Sequence, residues 1–296
     1  MILEQRSKGT RFIVCFMSVL REKPPMSKSK IHEMGSVLRK NGVIALDDWE
    51  TYLLHQEEIV SELARKLNDF VDSKVMPGGK TTEEIIVPGS GTYKVTRRVK
   101  SVVSLKEKLR RMPKTPLERI QDVAGARLDC DVTLTQQQRI AKGLYDLFTE
   151  CGANRVDIKD LRDGSHSGYR AIHLHLRFPA GFAEVQVRTA LQSHWANVYE
   201  SAADIFGRHI RYLHEENQVP LSLAARKAVK LLHDLSAHIS QVEEKRDECS
   251  SVHSRDDLDY DMKHRQEIIS ELESNIQFIL NLLDEEFRKV RASRRK

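Results

Sequence analysis

Two acidic residues, Asp122 and Glu184, stand in or beside segments that the sequence predicts to be β-strands. Asp122 immediately precedes the apolar run at residues 123–128, and Glu184 lies within the alternating segment at residues 182–188. Two carboxylates, together with the oxygens of a triphosphate, form the usual hard-oxygen environment of Mg²⁺. The pair is therefore a candidate metal site, although a chain with 43 Asp and Glu residues also brings carboxylates together by chance.

A row of polar and aromatic side chains is predicted on the strand at residues 169–178. Because alternate residues of a strand point to opposite faces, Tyr169, His173 and His175 share one face, whereas the other face is mainly apolar. The Pro-Ala-Gly sequence that follows predicts a hairpin, which sets Glu184 beside the polar row. A solvated sheet face is the alternative, and strand periodicity alone favours it.

A cationic stripe is predicted where a strand passes into a helix. Residues 94–119 include ten Lys or Arg against two Glu, an excess of positive charge that an anionic ligand would offset. The N-terminus of the predicted helix also attracts phosphate. A solvated helix surface is the alternative. The residues that share one helical face, at spacings of four, four and three, are Lys100, Ser104, Lys108 and Arg111.

The same part of the chain contains five motifs in one order. They are Arg-x-Lys, a Ser and a Lys four residues apart, Asp-Val-Ala-Gly-Ala-Arg, Ser-Gly-Tyr-Arg-Ala-Ile-His, and Glu-Val-Gln-Val-Arg-Thr. This combination resembles the RelA/SpoT-type alarmone synthetase domain over roughly residues 47–206, in the form of a stand-alone small synthetase. The resemblance implies a nucleotidyltransferase-like mixed sheet. It also implies transfer of pyrophosphate from ATP to the 3′-hydroxyl of GDP or GTP, with Mg²⁺ or Mn²⁺, making (p)ppGpp and AMP.

The resemblance implies roles for residues at the metal and around the acceptor. Asp122 and Glu184 correspond to the Mg²⁺ carboxylates, and Glu184 also corresponds to the group that accepts the 3′-hydroxyl proton. Tyr169 is similar to the residue that stacks on the guanine ring. His173 and Arg188 resemble the groups that support the acceptor and the reacting phosphate. Phosphoryl transfer needs mainly positioning and charge stabilisation, so no covalent nucleophile is expected.

On the donor side, the resemblance gives the cationic stripe a ligand. Arg98 and Arg127 resemble the pair of residues that sandwiches the adenine ring of ATP. The residues that resemble ligands of the ATP phosphates are Lys100, Ser104, Lys108 and Arg111.

One loop departs from the family pattern. The family usually carries a proline, a lysine and an asparagine before Gly-Tyr, whereas this chain reads Asp-Gly-Ser-His-Ser-Gly-Tyr at residues 163–169. The lysine that would hold the acceptor phosphates is absent, and His166 is only partly protonated near neutral pH. Two alternatives to (p)ppGpp synthesis therefore stay open. One is a toxic small synthetase that pyrophosphorylates the 3′ end of tRNA and blocks translation, and the other is a non-catalytic nucleotide-binding or oligomerisation module.

Helices and strands must position these residues. Apolar residues that recur at three and four predict one long amphipathic helix at residues 47–74. Strands are predicted at 123–131, 155–161, 169–178 and 182–188, with helices at 101–111, 135–150, 190–205, 221–248 and 257–290. The predicted class is α+β: a mixed sheet flanked by helices, with a C-terminal helical hairpin. We divide the chain into a loosely ordered extension at 1–46, a synthetase domain at 47–210 and a helical region with a basic tail at 217–296.

Composition excludes several classes of protein. The 296 residues, 40% hydrophobic and 31% charged, suffice for one large domain or two small ones and argue against wholesale disorder. No apolar run reaches the roughly 20 residues that span a bilayer, so a membrane protein is excluded. The apolar run at 12–20 follows basic residues but lacks a small-residue cleavage site, which favours a non-secreted protein. Four dispersed cysteines without a CxxC pair favour the reducing cytoplasm.

The two predicted C-terminal helices carry long apolar stripes. Helices of about 28 and 34 residues would extend about 42 and 51 Å at 1.5 Å per residue, which is longer than one face of the core requires. We therefore expect part of this hairpin to pack against another copy of the chain, as a homo-oligomer, or against an antitoxin-like protein partner. The alternative is a hairpin folded wholly onto its own domain. The basic tail at 288–296 is expected to be a solvated end of a chain whose net charge is +5.

Overall fold

The computed structural model describes residues 18–212, 221–251 and 259–293. Its centre is one sheet of six strands: β1 (Lys80–Thr81), β2 (Thr92–Val99), β3 (Ala124–Cys130), β4 (Arg155–Asp160), β5 (Ile172–Phe178) and β6 (Gly181–Thr189). The strand order is β1-β2-β3-β6-β5-β4. β1 pairs parallel with β2 and β3 pairs parallel with β6, while the other neighbours are antiparallel. The predicted mixed sheet is therefore confirmed.

The described ranges contain seven α-helices around this sheet. They are α1 (Lys28–Arg39), α2 (Leu46–Phe70), α3 (Val102–Arg111), α4 (Leu134–Glu150), α5 (Ala190–Phe206), α6 (Leu223–Ser251) and α7 (Asp259–Ser293). A π-helical turn at Val71–Val75 extends α2, so the predicted helix at 47–74 is confirmed nearly to its last residue. Together the helices and the sheet give the α+β class that the sequence predicts.

One face of the sheet forms the main apolar core. Along β3, the alternate residues Ala124, Ala126 and Leu128 are at most 2% exposed, because a strand turns every second side chain to the same face. α2 and α4 cover this face with Leu63 and Leu144, both fully buried. The opposite face of β3 consequently carries Gly125, Arg127 and Asp129, and it is free to present polar groups to a ligand.

The N-terminal extension is more ordered than the sequence predicts. The predicted loosely ordered segment at 1–46 includes α1, whose N-cap Ser27 accepts a hydrogen bond from the Lys30 amide at 3.2 Å. Ile31, Met34 and Leu38 recur at three and four and are 2 to 6% exposed. They pack with α2, α3 and the segment before β3 in a second apolar cluster. The prediction is wrong for α1 because this short stripe lies within a segment rich in Ser and Lys.

The C-terminal helices form a further core with α5. Trp195 and Val198 of α5 pack with Leu232 of α6 and Leu280 of α7, and all four are at most 2% exposed. The helical hairpin is therefore folded at least partly onto its own chain. No helix within the described ranges is both long enough and apolar enough to cross a membrane. Most of the apolar run at 12–20 and the last three residues of the basic tail lie outside the described residues.

Candidate active site

Strand register aligns the candidate residues in two rows across the polar face of the sheet. In the first row, His175 pairs with Glu184, Glu184 with Gly125, and Gly125 with Arg98. A Cβ atom added to Gly125 would meet only the Arg98 carbonyl, at 3.7 Å, so the sheet surface is open at Gly125. The second row consists of His173, Gln186, Arg127 and Thr96.

Glu184 is held in place by three neighbours. His173 Nδ1 lies 3.2 Å and His175 Nε2 lies 3.3 Å from Glu184 Oε1. The Gln186 amide donates a hydrogen bond to Oε2 at 2.7 Å. The other nitrogen of the His173 ring, Nε2, lies 2.9 Å from the hydroxyl of Tyr169. The carboxylate is thus oriented on both oxygens, with a side chain that is 12% exposed.

These contacts also set the charge of Glu184. Burial by itself would raise its pKa, but the hydrogen bonds from His173 and His175 outweigh burial and hold the pKa well below 4.5. The group is therefore an ionised carboxylate at neutral pH. It can accept a proton or bind a cation without first losing a proton of its own.

Asp122 lies in a separate electrostatic cluster. Its Oδ2 is 2.7 Å from Lys100 Nζ and its Oδ1 is 2.8 Å from Lys108 Nζ. Burial would raise the pKa of Asp122, but the two ammonium groups lower it below 3.8. The same burial lowers the pKa of Lys100 in spite of Asp122. The connection between β2 and α3, helix α3 and the loop before β3 thus bring two cations and one anion together.

Two arginines add positive charge that is not neutralised. Within the described part of the chain, neither the side chain of Arg98 nor that of Arg127 forms a hydrogen bond or an ion pair. Burial, together with repulsion from Arg188 and Arg98, lowers the pKa of Arg127 to about 10. An aromatic or anionic ligand over this part of the sheet would therefore be favoured.

Arg188 is fully engaged with another strand. Its guanidinium forms two hydrogen bonds to Asp129, at 2.8 and 3.0 Å, and its side chain is 3% exposed. Burial would lower its pKa, but Asp129 raises it above the usual range. Arg188 consequently holds β6 against β3 and reaches the site as one half of a neutralised pair. The sequence analysis assigns no role to Asp129, although its alternation with Arg127 on β3 places it on the polar face.

Tyr169 reaches the site from a loop. The predicted strand began at Tyr169, but β5 begins at Ile172, and Tyr169 instead forms an isolated bridge with His166. The chain here turns through Ser167 and Gly168, whose φ angles are 53° and 81° and interrupt the extended backbone. The ring of Tyr169 lies edge-on to that of His173, with centroids 5.6 Å apart. Burial raises the pKa of Tyr169 to about 12, so its hydroxyl stays protonated.

The remaining donor-side residues lie on α3. Ser104 accepts hydrogen bonds from Ser101 and from Arg208, both at 3.0 Å, and Arg208 also pairs with Glu107 at 2.8 Å. Arg111 is the last residue of the helix and is exposed. Lys108 points to Asp122. Lys100 precedes the N-cap Ser101, so it contacts Asp122 from outside the helix, and the predicted helical stripe is wrong for this residue.

The two predicted metal ligands, Asp122 and Glu184, contact different sets of side chains. Among the described residues, the group of three or more potential ligands within 4.8 Å of one another is His173, His175 and Glu184. Asp122 stands outside this group and is paired with lysines instead. The sequence analysis places His175 on the polar face but gives it no role. Its position in alternation with His173 is the signal that could have linked it to Glu184.

The chain is similar in sequence and in fold to known proteins. A sequence model described as "Region found in RelA / SpoT proteins" matches residues 97–214. An uncharacterized protein of Mycobacterium tuberculosis is 37% identical over 79% of this chain and 80% of its own length. The GTP pyrophosphokinase YjbM of Bacillus subtilis is 30% identical over 67% of this chain and 93% of its own length. A solved structure of a GTP pyrophosphokinase family protein from Streptococcus pneumoniae, 22% identical, superposes with a TM-score of 0.50 over 74% of this chain and 98% of that chain. This last similarity concerns the fold alone.

Proposed function

The chain belongs to the RelA/SpoT-type alarmone synthetase family, and on that premise we propose that it transfers pyrophosphate from ATP to the 3′-hydroxyl of GDP or GTP. The products would be AMP and (p)ppGpp. One observation carries the proposal. Glu184, an ionised carboxylate contacted on both oxygens, lies in register with Gly125 and, through it, with Arg98, whose side chain forms no ion pair within the described residues.

The donor side is supported by the distribution of cations. Lys100 and Lys108 are within 2.8 Å of Asp122 and can turn toward the phosphates of ATP, since both lie at the edge of the polar face. Arg98 and Arg127 offer planar groups that no described residue engages in an ion pair, which suits stacking on an adenine ring. Fixed cations aimed at a triphosphate stabilise the charge that develops during phosphoryl transfer.

The chemistry of the carboxylates fits a divalent cation. Asp122 and Glu184 both keep pKa values below their usual range, so both are anionic hard-oxygen ligands at neutral pH. Mg²⁺, or Mn²⁺, would be held by Asp122 and Glu184 and would neutralise the triphosphate oxygens. The lysines that now pair with Asp122 would then be released to the phosphates.

The acceptor side is supported by the network around Glu184. Tyr169 would stack on the guanine, and His173, held between Tyr169 and Glu184, would keep both in register. In the reaction the acceptor 3′-oxygen forms a bond to the β-phosphorus of ATP while the bond from that phosphorus to the α,β-bridging oxygen breaks. Glu184 takes the proton of the 3′-hydroxyl, and AMP leaves with the bridging oxygen.

The test is a transfer assay with ATP labelled in its β- and γ-phosphates. GDP, GTP and bulk tRNA are offered separately, and both the labelled product and AMP are followed. The expected result is labelled ppGpp or pppGpp with one AMP released per transfer. Release of inorganic phosphate without AMP would contradict pyrophosphate transfer.

Two matched pairs of variants sharpen this assay. E184Q and D122N should each lower the transfer rate by about two orders of magnitude or more, on the scale of losing a general base or a key electrostatic group. E244Q and D261N remove exposed carboxylates from α6 and α7 and serve as controls. Full activity of E184Q with every acceptor would refute the role of Glu184 and would revive the non-catalytic alternative.

A second acceptor is favoured by the loop before Tyr169. Residues 163–168 contain no lysine or arginine, and His166 is exposed with its Nδ1 3.1 Å from the Ser165 hydroxyl. Such a loop has little with which to grip a 5′-diphosphate, a group that the 3′ end of tRNA does not carry. Label appearing on tRNA, with none on GDP or GTP, would assign the toxic tRNA pyrophosphokinase activity in place of (p)ppGpp synthesis.

A further inference from the structure

The imidazole rings on β5 form a cluster of nitrogen ligands around Glu184. His173 and His175 project from alternate positions of the strand to the same face, and His175 is in register with Glu184. One nitrogen of each ring and Oε1 of Glu184 lie within 4.8 Å of one another. Two imidazoles and one carboxylate are an unusual set for Mg²⁺, which prefers oxygen ligands.

Two of the three distances between ligand atoms in this cluster match tetrahedral coordination, and the third, between the two ring nitrogens, is within 4.8 Å. Zinc bonds to histidine nitrogen and carboxylate oxygen are about 2.0 to 2.1 Å long, so two ligand atoms of a tetrahedron lie about 3.3 to 3.4 Å apart. The distances from Glu184 Oε1 to His173 Nδ1 and to His175 Nε2 are 3.2 and 3.3 Å. A metal ion could therefore be accommodated with little movement of these groups.

Two of the three ligands, His173 and Glu184, are oriented by a second contact, whereas His175 is partly exposed to solvent. His173 Nε2 contacts the Tyr169 hydroxyl at 2.9 Å, and Gln186 donates to Glu184 Oε2 at 2.7 Å. Outer contacts of this kind fix the ring and carboxylate orientation of metal ligands. His175, 28% exposed, also lines a cavity of about 880 Å³ beside the β5–β6 hairpin, which leaves a coordination position for water.

We propose that His173, His175 and Glu184 form a binding site for a borderline transition metal ion such as Zn²⁺, and that this site shares Glu184 with the Mg²⁺ site proposed above. Bound metal takes the Oε1 lone pair that proton transfer would need, so occupancy inhibits the synthetase. The inhibitory part rests on the proposed function, whereas the metal site does not.

Cobalt spectroscopy tests the site without any assay of activity. The full chain, freed of metal with a chelator, is titrated with Co²⁺ and then with Zn²⁺. The expected result is one Co²⁺ per chain, with the visible d–d bands of four- or five-coordinate cobalt and their loss when Zn²⁺ displaces it. Absence of these bands, or of any bound cobalt, would overturn the proposal.

The matched variants are H175Q and H32Q. The glutamine of H175Q keeps a hydrogen-bond donor near Glu184, while His32 is an exposed histidine on α1 whose side chain is 59% exposed. Loss of a residue that only contacts a metal ligand weakens metal binding by up to about 100-fold. Because His175 is proposed to bind the metal directly, H175Q should bind Zn²⁺ at least about 100-fold more weakly than the wild type. H32Q should bind Zn²⁺ as the wild type does. Equal affinity of H175Q and wild type would overturn the site. Anomalous scattering from zinc in wild-type crystals supplies a check independent of variants, and a peak away from Glu184 would also overturn it.

Inhibition is measured with excess Mg²⁺ and one equivalent of Zn²⁺. Each protein is compared with its own zinc-free transfer rate, and wild type should lose most of its rate while H175Q loses much less. A wild type that binds zinc and keeps its full rate would overturn the inhibitory role. If no acceptor is pyrophosphorylated at all, the proposed function fails while the cobalt spectrum still decides the metal site.

Discussion

Two guanidinium groups on the polar face of the sheet differ in their counter-ions. Arg188 is paired with Asp129 through two hydrogen bonds, whereas Arg127 has no ion-pair partner in the described ranges. A buried cation without a counter-ion costs free energy, which a bound anion or aromatic ring can recover. We therefore expect Arg127 to contribute mainly to ligand binding and Arg188 mainly to the stability of the fold.

Replacing each arginine by methionine separates these roles. R188M leaves Asp129 buried and unpaired, so its free energy of unfolding should fall by about 3 to 5 kcal/mol. R127M removes an uncompensated charge, so its unfolding free energy should stay the same or rise while its affinity for ATP falls. Urea denaturation and ATP titration measure the two effects. Equal losses of stability in both variants would contradict the distinction.

A second residue-scale prediction concerns His194 of α5. Its side chain is 1% exposed and neither ring nitrogen has a hydrogen-bond partner. Burial lowers its pKa from 6.5 to about 4, against the opposing effect of Asp284. Because the folded pKa is below the unfolded one, this group's contribution to stability is complete above pH 6.5 and is lost as pH falls toward 4.

H194F should therefore stabilise the protein and weaken its acid sensitivity. The expected gain is about 1 to 3 kcal/mol, the cost of leaving a buried polar group unpaired. Thermal unfolding at pH 5 and pH 8 measures the gain, and H238Q, at an exposed position of α6, is the control. If H194F is no more stable than the wild type at either pH, the buried ring nitrogens of His194 do not destabilise the protein.

At the scale of elements, strand alternation could place part of the site before the structure was known. The period of two put His173 and His175 on one face and, through the hairpin, Glu184 beside them. It could not place Asp129 against Arg188, because that pair depends on the parallel register of β3 with β6, which are far apart in sequence. Alternation also predicts that the strand begins at Tyr169, whereas β5 begins at Ile172. The turn at Ser167 and Gly168 depends on backbone conformation and does not change the pattern of polar and apolar residues.

The junction of β6, α5 and α6 contains a buried carboxylate whose charge should depend on pH. Glu243 of α6 accepts hydrogen bonds from Thr189, which caps α5, and from Gln192, the latter at 3.0 Å. Burial raises its pKa to about 7 in spite of these bonds. Because the folded pKa is above the unfolded value of 4.5, its contribution to stability is complete below pH 4.5 and declines as pH rises through 7.

E243Q should remove this dependence. Glutamine keeps an acceptor for Thr189 but cannot ionise, so the fall in melting temperature between pH 5 and pH 8 should be smaller in E243Q than in the wild type. E244Q, which changes the exposed neighbouring residue, is the control and should behave as the wild type. Identical pH profiles for wild type and E243Q would rule out Glu243 as the source of the dependence.

At the scale of the whole molecule, two apolar cores meet at α5. The helix follows β6 directly, lies within the predicted synthetase domain at 47–210, and packs against α6 and α7 of the predicted helical region at 217–296. The division into these two domains remains a proposal, since α5 contributes to the core of the second. Helical periodicity predicted α6 and α7 well, but which of their faces is covered depends on contacts with α5 that sequence spacing does not encode.

One side of α7 stays uncovered in the single chain. Ile269, Ile276 and Leu280 are buried against α5 and α6, at most 8% exposed. A neighbouring stripe on the same helix is 38 to 62% exposed. Its members are Ile268, Leu272, Phe278, Ile279 and Leu282. Water-exposed apolar area of this length is typical of an interface, and we expect the chain to self-associate through it.

Light scattering at several protein concentrations tests this expectation. Wild type should exceed the 34.0 kDa of one chain, and a variant with L272E and I279E should return to that mass because two buried charges would oppose the interface. E271Q, at an exposed position next to the stripe, is the control and should associate as wild type does. A wild type that stays at 34.0 kDa throughout would refute self-association. A second protein that co-purifies with wild type and is lost from the double variant would instead assign the stripe to an antitoxin-like partner.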